Sequence, residues 1–396
     1  MSRFLARERE LEVLGRRLSD AANGRGGVVA ISGPPGVGGT RLARQVAQMA
    51  RAQGMAVTWG ECREGLLDLP FGALAEAIET GALAMPPGQV MSDLGSDAGT
   101  ILRICPGLAE VLPTLVPAVP LEPVDERLRL RDAVAAWLGR LAARAPLLVV
   151  LDEFQLADGD LRGMVEHMGR RLRTLPVLML TVSSIAPAAK PRARKAGARV
   201  TKPKGVLDAL PLEGLDVGAV AALLGTASDK PVMPATVELI QAVAHGNPLL
   251  SVELFRHMAD EGLLPAPGSR GLPAPDALPQ TIADVVAWRV ARLPVASRAA
   301  FNVLAAFPRG ATATMVAAVT AVVRSRAIEA LDGLLADSLV TFDEAEQRYA
   351  VPHPSIRAAL LDAMTPLVRA HLYRRLAEVV EATAGDERRQ KAGELA

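Results

Sequence analysis

Val28-Val29-Ala30-Ile31-Ser32-Gly33-Pro34-Pro35-Gly36-Val37-Gly38-Gly39-Thr40-Arg41-Leu42-Ala43 is the stretch that orders the rest of the chain. Residues 28–31 are short, apolar and β-branched, follow Gly26 and Gly27, and read as a buried strand. Leu42, Val46 and Met49 share one face of a following helix. A glycine-rich loop between strand and helix can turn its backbone amides inward around an anion, and the helix N-terminus adds its dipole. Residues 33–40 have the spacing of the phosphate loop GxxxxGK[ST], with Gly39 at the lysine position. Gly33, Pro34, Pro35, Gly36, Val37, Gly38, Gly39, Thr40 and Arg41 are therefore the candidate phosphate contacts, and the Thr40 hydroxyl is a candidate magnesium ligand. Losing one charged hydrogen bond costs roughly 1.5–3 kcal/mol, about ten- to a hundredfold or more in affinity. In the transition state the same loss suppresses hydrolysis. Arg41 is adjacent but points elsewhere on the helix, and a glycine-rich turn without ligand is the competing reading.

Outward from the loop, the pattern repeats. Residues 7–22 carry Leu11, Leu14 and Leu18 at helical spacing, and 55–60 suggest a second strand. Residues 147–151 form a fully apolar strand that ends in Asp152 and Glu153, and 177–182 form another. Continuous apolar strands alternating with helices argue for a parallel sheet covered on both faces. Asp152 can hold magnesium through water and Glu153 can polarise an attacking water, which makes them the candidate catalytic acids. A pair of capping acids is the alternative.

Composition narrows the class. Hydrophobic residues make up 50% and charged residues 22%, so the chain can build cores, and with aromatics at 3% those cores rest on Ala, Leu and Val. A net charge of +1 gives no global field for nucleic acid or an acidic membrane. Cys62 and Cys105 have no CxxC neighbour, so neither a disulfide framework nor a cysteine zinc site is supported. No N-terminal apolar segment suits a signal peptide, and runs such as 146–151 fall short of the roughly 18 residues a span needs. The expectation is a soluble, cytoplasmic chain with two to three domains of about 100–200 residues each.

Beyond the sheet, residues 186–205 hold seven basic residues and three prolines. The run Lys190, Arg192, Arg194, Lys195, with Arg199, Lys202 and Lys204, reads as a solvated loop before a nucleic-acid patch, since no aromatic is interleaved. A strand is expected at 206–212, helices near 216–225, 234–244 and 248–262, and an exposed Pro/Gly-rich linker at 264–280. Helices then follow at about 281–292, 295–306, 312–320 and 324–336, with a hairpin around 338–351 and helices at 354–362 and 365–384. Helices followed by a hairpin suit a winged-helix unit. Arg289 and Arg292 could reach phosphate, although structural ion pairs are the simpler reading.

In this order the motifs resemble the STAND class of P-loop ATPases within the AAA+ group. The chain looks most like the ATPase module of large LuxR-type transcriptional regulators and of ATPases fused to adenylate cyclases. Residues 4–11, FLAREREL, resemble the F-h-G-R-E-x-E-L signature near adenine, which makes Arg7 and Glu8 candidates for the base. Residues 33–43 resemble GPPGxGKTRLA, and 151–158, LDEFQLAD, resemble LDDLHWAD. Gly246-Asn247-Pro248 resembles the GNP turn whose proline packs by the base. Residues 278–293 resemble the start of the family's winged helix, and 351–357, VPHPSIR, resemble F-x-H-P-x-I-R. In related switches a histidine there touches the β-phosphate of ADP, which makes His353 the matching candidate.

The resemblance covers residues 4–384. It implies an α/β P-loop NTPase domain (parallel sheet, helices on both faces) at 1–212 and a helical lid at 213–265. A linker at 266–280, an α+β winged-helix domain at 281–384 and a tail at 385–396 complete the expected order. The implied cofactors are ATP or ADP with Mg2+, held at Thr40 and Asp152. Departures accompany it: Gly39 replaces the lysine, Gln155-Leu156 the His-Trp, and Ala6 the signature glycine. Ser183-Ser184 replace an arginine that senses phosphate.

Three readings follow. One is a nucleotide-gated regulatory switch with weak or absent hydrolysis, acting on an unidentified protein partner or by self-association. Another is a nucleotide-free pseudo-ATPase that serves as an interaction scaffold. The third is a DNA-binding winged helix using Arg369, His371, Arg374 and Arg375, which the near-neutral charge disfavours. No membrane partner is expected.

Overall fold

A computed structural model describes residues 6–63, 71–83, 85–185, 208–228, 231–265 and 272–394. The chain divides into two compact units, Met1–Leu215 and Asp216–Ala396. The basic run at 190–204 lies outside the described residues, as do Phe4 and Leu5.

Five strands form the sheet of the first unit: β1 (Gly27–Gly33), β2 (Ala56–Glu61), β3 (Leu147–Asp152), β4 (Val177–Ser184) and β5 (Asp208–Pro211). Their order is β2-β3-β4-β1-β5, and every pairing is parallel. Parallel neighbours need crossover connections, and helices supply them. The chain enters through α1 (Glu8–Ala22), and α2 (Gly39–Ala52) leaves the phosphate-type loop after β1. The central strands are apolar over Val28–Ile31, Leu147–Leu151 and Val177–Leu180 because both of their faces are covered. Val29, Ile31, Leu148, Val150, Leu178, Leu180 and Val182 pack with Leu14, Leu18 and Val46 of α1 and α2. The alternate residues Val28, Leu147, Val149, Leu151, Val177 and Met179 pack on the other side, against helices Gly72–Leu83, Pro123–Ala142 and Gly159–Arg171. That period of two is the pleat itself. Cys62 and Cys105 are buried as small apolar groups.

In the second unit, helices Val217–Thr226, Pro234–Ala244 and Pro248–Asp260 come first, and a 3-10 turn at Pro275–Ala277 precedes Ile282–Arg292. Helices Val295–Ala306, Ala313–Thr320 and Arg324–Ala336 follow, then an antiparallel hairpin of β6 (Thr341–Asp343) and β7 (Arg348–Ala350), and helices Pro354–Ala363 and Pro366–Glu394. Phe301, Leu304, Leu331, Leu334 and Leu360 anchor its core. Side-chain caps set several helix starts: Asp216, Asn247 and Thr312 each accept a backbone N–H three residues on, and Thr281 with Asp284 forms a capping box.

Two expectations change here. The linker is not exposed throughout, because Leu278 is buried. The last helix runs to Glu394 and takes in most of the expected tail, since its Ala, Glu, Arg and Lys residues are good helix formers.

The tightest backbone approach in the first unit is at Gly60 of β2. A Cβ there would lie 1.7 Å from the carbonyl oxygen of Ala73, which is backbone and cannot rotate away. Gly60→Ala should lower stability by about 3 kcal/mol, in the range of overpacked cores, as measured by denaturant unfolding.

Candidate functional site

The loop joining β1 to α2 owes its path to its glycines. Gly36 (φ 82°) and Gly38 (φ 102°) adopt left-handed backbone, which other residues reach only at a cost. Gly33 leaves no room for a side chain, because a Cβ would sit 2.8 Å from Val37 Cγ1 and 3.0 Å from the Leu212 carbonyl. Gly39 and Thr40 open α2, so the loop feeds directly into a helix N-terminus. Arg41 is exposed in its first turn.

The carboxylates reach this loop across one intervening strand. β4 separates β3 from β1, yet the Thr40 hydroxyl donates to Asp152 Oδ1 at 3.1 Å. Asp152 is 4% exposed and accepts a second bond from the Glu153 N–H at 3.0 Å. Burial pushes its carboxyl up to about 7; the two donors pull back, while the neighbouring Glu153 and Glu61 carboxylates push further. Glu61 stands opposite Asp152 in the β2–β3 register. A magnesium ion is held by few protein oxygens together with phosphates and water. A hydroxyl and a buried carboxylate side by side at the loop fit that requirement, and a cation there would offset the crowding of negative charge. Among the described residues no group of three or more His, Cys, Asp or Glu side chains suits an all-protein metal cage.

Glu153 is 8% exposed and sits in left-handed backbone at φ 51°. Gln155 Nε2 donates to its Oε2 at 2.6 Å, and Gln155 Oε1 accepts from the Ser184 N–H at 2.9 Å. One carboxamide thus ties the second acid to the end of β4. Its sequence signal was only a departure from a family motif; the bridge depends on β3 and β4 being neighbours. Cys62 is also close: its N–H donates to the Asp152 carbonyl at 2.9 Å, and burial beside Asp158 and Asp152 pushes its thiol up to about 12, which leaves it inert.

Arg7 braces the loop from outside. Ala6 (φ 55°) and Arg7 (φ 87°) are both left-handed where the resembling signature has Gly-Arg. The Arg7 guanidinium meets Glu10 at 3.0 Å and donates to the carbonyls of Val37 at 3.2 Å and Glu213 at 2.6 Å. Glu8 is exposed at the start of α1.

The structure therefore gathers Arg7, residues 33–41, Asp152 and Glu153 in the first unit. Pro248 and His353 belong to the second. Pro248 opens its helix behind Asn247, whose Oδ1 accepts from the Leu250 N–H at 3.1 Å, after a tight turn through His245 and Gly246. His353 caps Pro354–Ala363 through its carbonyl. Arg289 pairs with buried Glu253 at 3.3 Å, and Arg292 pairs with Glu261 and lies 4.7 Å from the Trp288 ring centre. Both arginines thus make structural contacts within the unit.

Residues 3–180 match the family described as the AAA ATPase domain. An uncharacterised protein of Rhizobium meliloti is 23% identical over 189 residues, which are 46% of this chain and 18% of that protein. The chain is similar to a Signal Transduction ATPase with Numerous Domains from Pyrococcus horikoshii that carries a tetratricopeptide repeat sensor. There the TM-score is 0.51 and the identity 14%, over 97% of this chain and 46% of that one. A RuvB variant of Thermotoga maritima gives a TM-score of 0.35 at 14% identity, over 92% of this chain and 97% of that one. The chain spans less than half the length of the Pyrococcus protein and under a fifth of the Rhizobium one. Residues 3–180 are thus similar to an AAA ATPase domain, and the fold of the chain is similar to that of the Pyrococcus STAND protein.

Asp152 keeps its proton on folding at pH values where the unfolded chain has lost it. Folding takes up a proton between about pH 4 and 7, so stability falls as pH rises through that window. The effect is of the order of 4 kcal/mol. Asp152→Asn should gain on the native chain between pH 4 and 7 in metal-free denaturant unfolding. An offset that is equal at both pH values would refute the assignment.

Proposed function

We propose that this chain is a nucleotide-binding regulatory switch of the STAND type, with weak or absent hydrolysis, built on the AAA ATPase domain at residues 3–180. The observation that carries the reading is the 3.1 Å bond from Thr40 to Asp152, which joins the loop to the acid strand as a magnesium–phosphate site requires. Backbone amides at 36–40 would hold the phosphates of ATP or ADP, and Thr40 with Asp152 would hold Mg2+. When bound, the ion would screen the charge shared by phosphate and carboxylate. Arg7 fixes the carbonyl of Val37 and so the shape of the loop. Gln155 occupies Glu153 Oε2 with a hydrogen bond, and Gly39 brings no cation. Both features favour holding nucleotide over consuming it.

In this reading residues 213–265 act as a helical lid and 281–384 as a winged-helix domain that carries His353. Nucleotide matters only through different affinity for two arrangements of the chain. A protein partner or a second copy would read the difference, in transcriptional or signalling control. The missing lysine also supports the second reading, a nucleotide-free scaffold.

Denaturing the purified chain and chromatographing the supernatant separates the two. Released ADP or ATP near one per chain supports the switch; an empty chain that also fails to bind added Mg·ATP supports the scaffold. Thr40→Ala should weaken Mg2+-dependent nucleotide binding about tenfold or more, as for loss of one charge-assisted bond, and should leave Mg2+-free binding nearly unchanged in a calorimetric titration.

A further inference from the structure

The lysine position is closed from the opposite side. A Cβ at Gly39 would lie 2.9 Å from Val182 Cγ1 and 3.8 Å from Ile31 Cγ2. Val182 is 3% exposed on β4 and belongs to the core that Ile31, Leu180 and Val46 build beneath α2. Its β-branched side chain is stiff at χ1, and its neighbours are close-packed, so its methyl has nowhere to turn. The loop thus lacks room at 39 as well as a charge, because its floor occupies the space where a side chain there would begin.

We propose that Val182 is a specificity-determining residue of this site, coupled to Gly39, which restricts phosphate binding to backbone amides and excludes a lysine from the loop. The ligand in this statement rests on the nucleotide reading above; the coupling rests on steric fit alone. Glycine is then required at 39 while valine stands at 182, and neither change is free without the other.

Two linked cycles test it on the full chain. The first combines Gly39→Lys with Val182→Ala and titrates Mg·ATP. Gly39→Lys alone should gain less than about threefold in affinity, while the double variant should gain about tenfold or more, as for one added charged hydrogen bond. The second uses Gly39→Ala, which adds only the Cβ and reads the melting midpoint. Alanine normally stabilises a helix relative to glycine. Here Gly39→Ala should instead lower the midpoint by about 2–4 °C, and over Val182→Ala the drop should vanish. Equal effects of the position-39 changes in both backgrounds would overturn the proposal. A native chain that binds nothing, beside a double variant that binds, would keep the coupling and remove the nucleotide reading of the native chain. Native binding without coupling would do the reverse. If no variant binds nucleotide, the melting cycle still decides the coupling.

Discussion

A carboxylate removed from water must find donors, and the fold of the first unit is arranged around that need at Asp152. Its two neutral partners are the Thr40 hydroxyl, from α2, and the Glu153 amide, from the next residue. Thr40 reaches it only because α2 starts where β1 ends, and β1 lies one strand away from β3. Shifting the register of either strand would take the Thr40 donor away from a buried acid, at a cost of roughly 1–3 kcal/mol. Two neutral donors do not fully offset burial beside Glu153 and Glu61, and the acid holds its proton toward neutral pH. Among the described residues Asp152 is bonded by neutral donors, so the site is prepared for positive charge.

Three arginines of the first unit have other partners. Arg63 is taken up by Glu61 and Glu76, at 3.3 and 3.0 Å. Arg7 spends its donors on two carbonyls and Glu10. Arg162 donates to the carbonyls of Ala157 and Gln155, which stiffens the turn that presents Glu153. Arg7 and Arg162 thus shape the backbone around the acids, while Arg63 is spent on two carboxylates.

Much of the fold was legible in the sequence because its signals are local. The runs at 28–31, 147–151 and 177–182 have the length and composition of strands buried on both faces, and the glycines at 36 and 38 suit a loop with left-handed turns. The acids of the site could be named from their place after an apolar strand. What the sequence did not show depends on which strands are neighbours. Val182 under Gly39 follows from β4 lying beside β1, and Gln155 bridging to Ser184 follows from β4 lying beside β3. The bonds of Arg7 to Val37 and to Glu213, far along the chain, are likewise set by the fold and not by local pattern. The family motif predicts a glycine at position 6, and the left-handed backbone of Ala6 shows the conformation kept without the residue that makes it easy.

The sheet order has a consequence during synthesis. β1 is made early, yet its two neighbours are β4 and β5: Gly27 pairs with Leu178 and Val29 with Asp208. A ribosome adds roughly 5–20 residues per second, so the loop strand waits on the order of ten seconds for its partners. Through that interval an apolar segment with two unpaired edges is exposed to other chains, and such long-range parallel pairing is intrinsically slow. The nascent chain's need for protection is therefore greatest before residue 211 has emerged, and a translational pause inside 55–207 would prolong it.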